Sequence, residues 1–324
     1  MDKKSLISKP IAQELEKFNS LFRESVFSDN IRIQSVIDYI MKSDGKRIRP
    51  TLLLLAAKAC GQINDTAYLS AVTIELLHTA SLIHDDVVDE SLLRRGNPSV
   101  NAVYDNKVAV LAGDYFLSTA LIKSVMTSNL EIISSVSMLG RNLAEGELNQ
   151  LSLAKEVILD ENEYFNVIKE KTASLLSTCM KIGAISAGGD EESIKDFTCL
   201  GENLGICFQL RDDIFDYFKN DVGKPTGNDI REGKVTLPLL YALKTSTNSK
   251  KVDFLVDVLK KADFTDENVE ILIDFALENG GIDYAYSKID EYKAKAQVFI
   301  EKIENKEVKE ALTNAVEYIV ERAY

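Results

Sequence analysis

The sequence predicts an all-α protein, a single large helical bundle of roughly a dozen helices around a central cavity. Apolar residues recur at helical spacing in long segments such as IAQELEKFNSLFRESV and AYLSAVTIELLHTASLIHDDVVDE. Alternating strand patterns are nearly absent. The chain has 324 residues, 45% of them hydrophobic, but only 5 prolines and 16 glycines and no linker-like tract. We therefore expect one domain over residues 1–324.

Turn residues divide this chain into its helices. They are Gly61, Gly96-Asn97-Pro98, Gly188-Gly189, the stretch from Gly223 to Gly227, and Gly280-Gly281. Several segments are apolar on nearly every side, which is typical of helices buried inside a bundle. From about Thr245 the chain is rich in lysine and glutamate with regular apolar spacing, which predicts outer, amphipathic helices.

The charge balance excludes one class of partner. The 38 lysine and arginine residues against 51 aspartate and glutamate residues give a net charge of -13. This acidity argues against nucleic acid as the partner. The four cysteines form no CxxC pair, which argues against a zinc site or a disulfide framework and favours a reducing cytosol.

The N-terminal stretch MDKKSLISKPIAQELEKF lacks the apolar core and small-residue cleavage site of a signal peptide. No stretch reaches the roughly 20 apolar residues that span a bilayer. We expect a cytoplasmic protein with at most peripheral membrane contact.

Two acidic motifs of the form DDxxD are the most informative feature. They comprise Asp85, Asp86 and Asp89 in LIHDDVVD, and Asp212, Asp213 and Asp216 in FQLRDDIFD. Residues three and four apart share a helix face, so each motif gathers its carboxylates. At about 6 Å and an effective dielectric of about 20, two carboxylates repel by roughly 2 to 3 kcal/mol, which divalent cations would relieve.

A single DDxxD motif is explained equally well by a solvent-exposed helix face and by a metal site. Two motifs with aliphatic flanks favour metal binding instead. Sites in bundles are built from residues on facing helices. We expect the two motifs to face each other across a cavity and to hold an anion through bridging metals.

Basic residues accompany both motifs. They are Lys46, Arg47 and Arg49 in DGKRIRP, Arg94 and Arg95 in LLRRGNP, Lys171 beside Thr172, and Lys224, Arg231 and Lys234 after the second motif. Any one of them is explained by solvated surface. Their placement beside the acidic motifs, in so acidic a chain, predicts a site for a diphosphate.

Helix phase adds two candidates. His78 lies seven residues before Asp85 and falls on the same stripe within about 20°. A core histidine is the alternative. Gln209 shares a helix face with Asp212, Asp213 and Asp216, which predicts that its amide lines the cavity.

The segments GKRIRP, LLHTASLIHDDVVDE, LRRG, EGELNQ, EKTASL, GICFQLRDDIFD and GKPTGNDIREGKVTLP resemble the trans-isoprenyl diphosphate synthases, the polyprenyl synthetase family. The resemblance covers nearly the whole chain and implies the isoprenoid synthase fold. One departure is Asp44, where the family usually has glycine.

The resemblance implies a Mg²⁺-dependent prenyltransferase with three Mg²⁺ ions per active site. Asp85 and Asp89 would bind two ions, and Asp212 chiefly the third. The allylic diphosphate would also be bound by Arg94, Lys171, Lys224 and Lys234. Isopentenyl diphosphate would be bound by Lys46, Arg49, His78 and Arg95. Thr172 and Gln209 would line the reacting centre. A homodimer is also implied.

In this family the growing chain runs along the helix upstream of the first motif. Positions four and five before Asp85 lie about 6 to 8 Å below the metals. They are the small residues Ser81 and Ala80, which leave the tube open, although close helix packing also explains them. We expect a product of about C30 to C40. Candidates for the tube floor are Leu77, Ile74 and Phe116.

Other interpretations stay open. The nearest is a short-chain farnesyl or geranylgeranyl diphosphate synthase. A terpene cyclase or head-to-head condensing enzyme would lack a reason to keep both DDxxD motifs with GKRIRP. A non-catalytic subunit of a heteromeric synthase could lose a motif, whereas this chain keeps both. A calcium-binding scaffold would carry its ligands in glycine-containing acidic loops, which the sequence lacks.

Overall fold

The structure is a computed structural model that describes residues 3–42, 45, 47–94, 96–157, 159–218 and 226–321, without the side chains of 151–156. Five residues named above lie outside the described residues, namely Asp44, Lys46, Arg95, Gly223 and Lys224. The chain forms two compact units. Unit 1 comprises Met1–Gly140, Leu176–Gly201 and Phe299–Ala315, and unit 2 comprises Arg141–Leu175, Glu202–Val298 and Val316–Tyr324. The single domain stays a prediction.

The all-α prediction is confirmed, with seventeen α-helices among the described residues. The first seven are α1 (Lys3–Ser8), α2 (Ala12–Ser25), α3 (Ile31–Met41), α4 (Ile48–Cys60), α5 (Asp65–Val88), α6 (Val100–Tyr104) and α7 (Asn106–Met126). Next come α8 (Leu130–Glu156), α9 (Glu161–Ile168), α10 (Ser174–Ser186), α11 (Glu191–Phe215) and α12 (Asn228–Arg231). The last five are α13 (Leu237–Thr245), α14 (Ser249–Lys260), α15 (Asp266–Glu278), α16 (Gly281–Glu301) and α17 (Lys306–Glu321).

Short elements account for the excess over a dozen helices. Helices α1, α6 and α12 have only four to six residues, too few for a periodic pattern to be recognised. A 3-10 turn, Lys9–Ile11, links α1 to α2. Strands β1 (Leu93–Arg94) and β2 (Asn97–Pro98) pair antiparallel in a hairpin just after the first acidic motif.

Local chemistry fixes the ends of the long helices. The side chain of Asn64 caps α5 by accepting a hydrogen bond from the backbone N–H of Ala67 at 3.0 Å. At the end of α4, a Cβ on Gly61 would lie 2.6 Å from the carbonyl oxygen of Ala187. Glycine therefore allows the close approach of two backbones there.

The core of unit 1 is built around α4 and α5. Residues 52–57 of α4 are all buried, which confirms that this helix is enclosed on every side. Helix α5 packs against α2, α4 and α7. The first acidic motif thus lies at the C-terminal end of a long core helix of the unit.

Unit 2 has its own apolar core. It includes Leu239 and Leu243 of α13 and Leu272 of α15, together with Tyr217 and Ile230. These last two flank the segment that follows the second acidic motif. The core of unit 2 thus includes a described residue on each side of that segment.

A π-helical turn, Lys169–Ala173, joins α9 to α10 in unit 2. Such turns insert an extra residue into a helix and occur often at functional sites. Two glycines pack against it. A Cβ on Gly205 of α11 would lie 2.4 Å from Ala173 Cα, and a Cβ on Gly146 of α8 would lie 3.3 Å from Lys171 N. These close approaches fix Lys171 and Thr172 against α8 and α11.

Two helices, α5 and α7, are long and apolar enough to cross a membrane by length and composition, among the described residues. Neither helix is an unbroken apolar run, so the expectation that no stretch could span a bilayer is corrected here. The apolar window of α5 is 72% buried within the protein, as in a core helix, whereas that of α7 is only 33% buried.

Candidate active site

The second acidic motif borders a cavity of about 180 Å³ inside unit 2. Residues that the sequence analysis singled out line this cavity, namely Lys171, Thr172, Gln209, Asp213 and Lys234. They come from the π-helical turn, from α11 and from the segment after α12. The fold of unit 2 therefore gathers residues that are far apart in the sequence into one polar cavity.

Asp213 is the buried member of the second motif, with 3% of its surface exposed. The amide Nε2 of Gln209, one turn earlier on α11, donates a hydrogen bond to Oδ1 at 2.7 Å. The hydroxyl of Tyr164 on α9 donates another to Oδ2 at 2.5 Å. Burial and then the Asp213 carboxylate raise the pKa of Tyr164 well above its usual value, so the phenol keeps its proton and acts as the donor.

The same hydrogen-bonded chain reaches the π-helical turn. The hydroxyl of Thr172 donates to Oε1 of Gln209 at 2.7 Å. Gln209 thus uses its carbonyl oxygen toward Thr172 and its amide nitrogen toward Asp213. These two hydrogen bonds fix the orientation of the Gln209 amide.

Lys171 is held by two residues of α8. Its ammonium donates to Oε1 of Gln150 at 3.0 Å and forms an ion pair with Glu147. Both partners belong to the segment EGELNQ. Lys171 therefore has a fixed position at the cavity, with a side chain that is 27% exposed.

Asp216 organises the segment that begins α12. Its two carboxylate oxygens accept hydrogen bonds from the backbone N–H groups of Asn228 at 2.9 Å and Asp229 at 3.0 Å. Its backbone carbonyl accepts from Gly227 at 2.8 Å. The last carboxylate of the motif thus positions the loop that leads to Lys234.

Lys234 lies among carboxylates. Its ammonium is 3.5 Å from Oδ1 of Asp229 and 2.5 Å from Oε2 of Glu232. Asp229 lines the cavity together with Lys234 and Asp213. One wall of the cavity therefore combines a cation with several acidic groups.

Burial and neighbouring carboxylates raise the pKa values of two aspartates of the second motif. Burial, followed by the charges of Asp229 and Asp212, raises the pKa of Asp213 to about 7, although the hydrogen bonds from Tyr164 and Gln209 oppose the change. Burial and Asp229 raise the pKa of Asp216 to about 6. Negative charge at this motif is thus disfavoured without a compensating cation.

The first acidic motif lies at the end of α5, in unit 1. Asp86 is buried, and both of its carboxylate oxygens lie 2.7 Å from Nε of Arg94. Hairpin β1–β2 carries Arg94 to this position. The backbone carbonyl of Asp86 accepts from Asn101 at 3.2 Å. Arg94 is therefore paired with the motif itself, and its side chain is 34% exposed.

The two motifs share one feature. In each, the second aspartate, Asp86 or Asp213, is buried and bound by protein side chains. The metal ligands expected from the sequence, Asp85, Asp89 and Asp212, keep solvent-accessible side chains. The first motif lies in unit 1 and the second in unit 2, and their facing each other stays a prediction.

Of the residues expected to bind isopentenyl diphosphate, Arg49 and His78 are described. Arg49 is half-buried in the first turn of α4, and His78 is buried on α5 with 8% exposed. Lys46 and Arg95 lie outside the described residues. The shared role of these residues stays a prediction.

The residues expected to set product length lie on α5. Ala80 is buried and Ser81 is half-buried, with its hydroxyl donating to the carbonyl of His78 at 2.9 Å. The candidates for the tube floor, Ile74, Leu77 and Phe116, are all buried in unit 1. Their role in setting length stays a prediction.

Sequence reasoning missed several residues of the site. Tyr164, Gln150, Glu147 and Asp229 were not singled out. The spacing of Glu147 and Gln150 on one helix face was a usable signal, because EGELNQ was already noted as part of the resemblance. No local signal pointed to Tyr164, whose partner lies 49 residues away.

The donor set suits Mg²⁺. Its ligands are hard carboxylate oxygens, and burial together with the charge of Asp229 raises the pKa of Asp213 and of Asp216, a penalty on negative charge that a cation would relieve. Within the described residues, no three metal-binding side chains are gathered in one cage. Mg²⁺ is usually bound by one or two carboxylates together with substrate phosphates, so an open arrangement fits it.

Comparisons with known proteins agree with this chemistry. The octaprenyl diphosphate synthase of Haemophilus influenzae is 35% identical over 320 residues, which are 98% of this chain and 97% of that protein. The crystal structure of a decaprenyl diphosphate synthase from Rhodobacter capsulatus matches with a TM-score of 0.92 and 32% identity, covering 99% of both chains.

A third relative is named for a different product. The crystal structure of a geranylgeranyl pyrophosphate synthase from Bacteroides thetaiotaomicron matches with a TM-score of 0.87 and 43% identity, over 99% of this chain and 100% of that chain. The family model for polyprenyl synthetase matches residues 30–275. The chain therefore belongs to the polyprenyl synthetase family of trans-prenyltransferases.

Proposed function

We propose that this protein condenses an allylic diphosphate, such as farnesyl diphosphate, with successive molecules of isopentenyl diphosphate. The product is an all-trans polyprenyl diphosphate of about C30 to C40, and diphosphate is released at each step. One observation carries the proposal. A buried DDxxD carboxylate, Asp213, meets Lys171, Thr172, Gln209 and Lys234 at one cavity.

The allylic diphosphate is held by metals and by fixed cations. Enzymes of this family use Mg²⁺, and we expect three ions, two at Asp85 and Asp89 and the third at Asp212. Bound Mg²⁺ would neutralise the charge that develops on the leaving diphosphate. Lys171 and Lys234 add cations whose side chains are already positioned by protein partners.

Arg94 and Lys224 complete the expected set for the allylic diphosphate. Nε of Arg94 donates a hydrogen bond to Asp86. Arg94 therefore orients the first motif and also places a positive charge next to that motif. A guanidinium suits this double role because its donors form a rigid fork. Lys224 lies outside the described residues, and its role rests on the resemblance.

The reaction needs positioning and electrostatics rather than a nucleophilic side chain. The allylic carbon–oxygen bond ionises as negative charge moves onto the diphosphate. The double bond of isopentenyl diphosphate attacks the resulting carbocation, and loss of a proton completes a five-carbon extension. The released diphosphate is the favoured base. The Thr172 and Gln209 dipoles line the reacting centre.

Isopentenyl diphosphate binds to a second group of residues, Arg49 and His78 together with Lys46 and Arg95. His78 lies on α5 and is buried, which limits the movement of its side chain. Restricted side chains lose little entropy on binding, which favours a well-defined orientation of the attacking double bond.

Small residues on α5 support a long product. Ala80 and Ser81 present little volume where a ring would close the tube. The octaprenyl and decaprenyl names of two relatives point the same way. The runner-up is a short-chain synthase, which is favoured by 43% identity to a geranylgeranyl pyrophosphate synthase. Product length decides between the two.

A homodimer is the assembly that we propose. Helix α7 exposes a stripe of large apolar residues, including Leu121, Ile122 and Val125. Exposed apolar patches of this kind mark interaction sites, and a second copy of the chain is the occupant that fits the family resemblance. A monomer in sedimentation velocity at micromolar concentration would contradict this assembly.

We place the enzyme in the cytoplasm, with at most peripheral membrane contact through its lipophilic product. The decisive assay incubates the purified chain with farnesyl diphosphate, isopentenyl diphosphate and Mg²⁺. We expect diphosphate release and a product of C30 to C40. Asp85→Asn and Asp212→Asn should each lower turnover by orders of magnitude.

The matched control is Asp257→Asn. Asp257 is an exposed carboxylate of α14 that pairs with Lys261 one turn later. It should leave turnover unchanged. Near-normal rates in the Asp85 and Asp212 variants would refute the metal assignment, and no diphosphate release from any allylic substrate would refute the enzymatic function.

A further inference from the structure

A buried ion pair in unit 1 has no part in the roles described so far. Nη1 of Arg47 lies 2.8 Å from Oε1 of Glu75, and the two side chains are 22% and 8% exposed. Arg47 precedes the first residue of α4, and Glu75 lies in the middle of α5. The pair therefore joins the start of one core helix to the interior of another.

The pair is not optimised for stability. A buried ion pair loses much of its attraction to the desolvation of both charges. The second carboxylate oxygen of Glu75, Oε2, is buried and has no hydrogen-bond partner among the described residues. Such an oxygen carries an uncompensated desolvation penalty. A purely stabilising site would be expected to satisfy it.

Arg47 itself holds an unfavourable backbone conformation. Its φ of 53° places it in the left-handed region, where a residue with a Cβ is disfavoured. Its guanidinium also lies 4.8 Å from the ring centroid of Phe22. Contacts on two sides thus hold a strained residue in place, a pattern that is common beside functional sites.

The strained residue determines how α4 begins. The carbonyl of Arg47 accepts hydrogen bonds from the backbone N–H of Thr51 at 3.1 Å and from its hydroxyl at 2.7 Å. Arg49 lies within the first turn that these bonds define. The direction of the Arg49 side chain therefore depends on the conformation of Arg47.

Glu75 is linked to the other described member of the isopentenyl diphosphate site. It lies three residues before His78 on α5, on the same side of the helix. Glu75 and Arg49 both act electrostatically on the same group, the buried thiol of Cys179. Burial raises its pKa to about 12, while the charge of Arg49 lowers it and that of Glu75 raises it.

We propose that Glu75 is a positioning residue for isopentenyl diphosphate. Through its ion pair with Arg47, it fixes the start of α4 so that Arg49 is directed to the same diphosphate as His78. The inference rests on the proposed function, because it assigns a support to that substrate site. It predicts an effect on one substrate and not on the other.

The test compares Glu75→Gln with wild type in steady-state assays. The concentrations of isopentenyl diphosphate and farnesyl diphosphate are varied in turn. Glutamine keeps the shape of the side chain and removes its charge. We expect KM for isopentenyl diphosphate to rise about tenfold, equivalent to ~1.4 kcal/mol, with KM for farnesyl diphosphate almost unchanged.

A second variant guards against loss of folding. Arg47→Lys keeps the positive charge but loses the planar fork, and we expect it to raise the same KM. The matched control is Asp65→Asn on the same helix. Asp65 forms an exposed ion pair with Lys17 at 3.3 Å, and its loss should change neither KM.

Each result has a separate meaning. An inactive wild-type enzyme contradicts the proposed function and the inference with it. An active wild type whose KM for isopentenyl diphosphate is unchanged in both variants overturns the inference alone. Parallel changes in both KM values, together with a lower Tm, also overturn it, because a merely structural pair would act on both substrates.

Discussion

The hydroxyl of Tyr164 donates a hydrogen bond of 2.5 Å to Oδ2 of Asp213, in the interior of unit 2. Because Gln209 binds the other carboxylate oxygen, Asp213 is fixed on both sides. Asp212, the expected metal ligand, is the adjacent residue on α11. The orientation of the second acidic motif therefore depends on a tyrosine from a different helix.

Replacing Tyr164 with phenylalanine should weaken catalysis without unfolding the protein. The change removes one donor to Asp213 and leaves a buried carboxylate oxygen less satisfied. Partners of this kind typically change metal affinity or activity by about 10- to 100-fold. We expect kcat to fall within this range and the Mg²⁺ concentration at half-maximal rate to rise.

Tyr284→Phe is the matched control for this experiment. The hydroxyl of Tyr284 also donates to a carboxylate of unit 2, Oε1 of Glu161, at 2.8 Å, but Tyr284 does not line the cavity. Its removal should leave Mg²⁺ dependence unchanged. Equal effects of the two substitutions would show that the Tyr164 bond has no special role.

The acidic cavity should also make stability depend on pH. The folded-state pKa of Asp213, about 7, lies above its usual value of 3.8. Folding therefore favours the protonated carboxyl, and the free energy of unfolding falls as pH rises from the unfolded to the folded pKa. At ~1.4 kcal/mol per pKa unit, the loss is at most a few kcal/mol.

Denaturant unfolding with EDTA present, at about pH 5 and about pH 8, measures this loss. Other groups also titrate in this interval, so the informative quantity is the difference between wild type and Asp213→Asn. We expect the variant to lose less stability than wild type between the two pH values. The same pH dependence in both proteins would contradict the raised pKa.

Several residues that the sequence singled out line one cavity in the structure. The motif containing Asp213 could be recognised because its spacing matches one helix face, and Gln209 followed from the same periodicity. Tyr164 could not, because its contact is made through tertiary packing. The π-helical turn at Lys171 was also missed, since a single inserted residue hardly disturbs an apolar pattern.

The basic segment before α4 shows the same limit. Its basic residues indicated a diphosphate site, and only the family resemblance assigned isopentenyl diphosphate to Lys46 and Arg49 and not to Arg47. The structure separates Arg47, whose guanidinium pairs with the buried Glu75, from Arg49, two positions later. Sequence spacing alone does not reveal this difference, because it depends on the left-handed backbone conformation of Arg47, which changes the direction of the chain just before Arg49.

Close packing of Gly205 against the π-helical turn leads to a third prediction. A Cβ at this position would lie 2.4 Å from Ala173 Cα, so Gly205→Ala must displace the turn that carries Lys171 and Thr172. Overpacking of this kind costs roughly 1 to 3 kcal/mol. We expect a lower denaturation midpoint and, because the hydrogen bond from Thr172 to Gln209 is disturbed, a lower kcat.

Gly140→Ala provides the control for Gly205→Ala. Gly140 is also helical, and its added Cβ would meet only the Leu77 side chain, at 3.8 Å. Alanine is favoured over glycine in helices by roughly 1 kcal/mol, so this variant should be neutral or more stable. Destabilisation by both substitutions alike would remove the packing explanation.

Product length gives the last prediction, at Ser81 on α5. Ser81→Phe adds an aromatic ring where the growing chain is proposed to pass, one turn before Asp85. Ser81 is half-buried, so its side chain is not enclosed on every side by the core. We expect the product to shorten to about C15 to C20, as measured by chromatography of the dephosphorylated prenyl alcohols.

Ser81→Ala separates volume from hydrogen bonding in this test. It removes the hydrogen bond to the carbonyl of His78 at 2.9 Å and adds no bulk. If volume limits elongation, Ser81→Ala keeps the wild-type product while Ser81→Phe shortens it. Unchanged length in Ser81→Phe would exclude this face of α5 as the wall of the tube, since a phenylalanine there could not be passed by a growing chain.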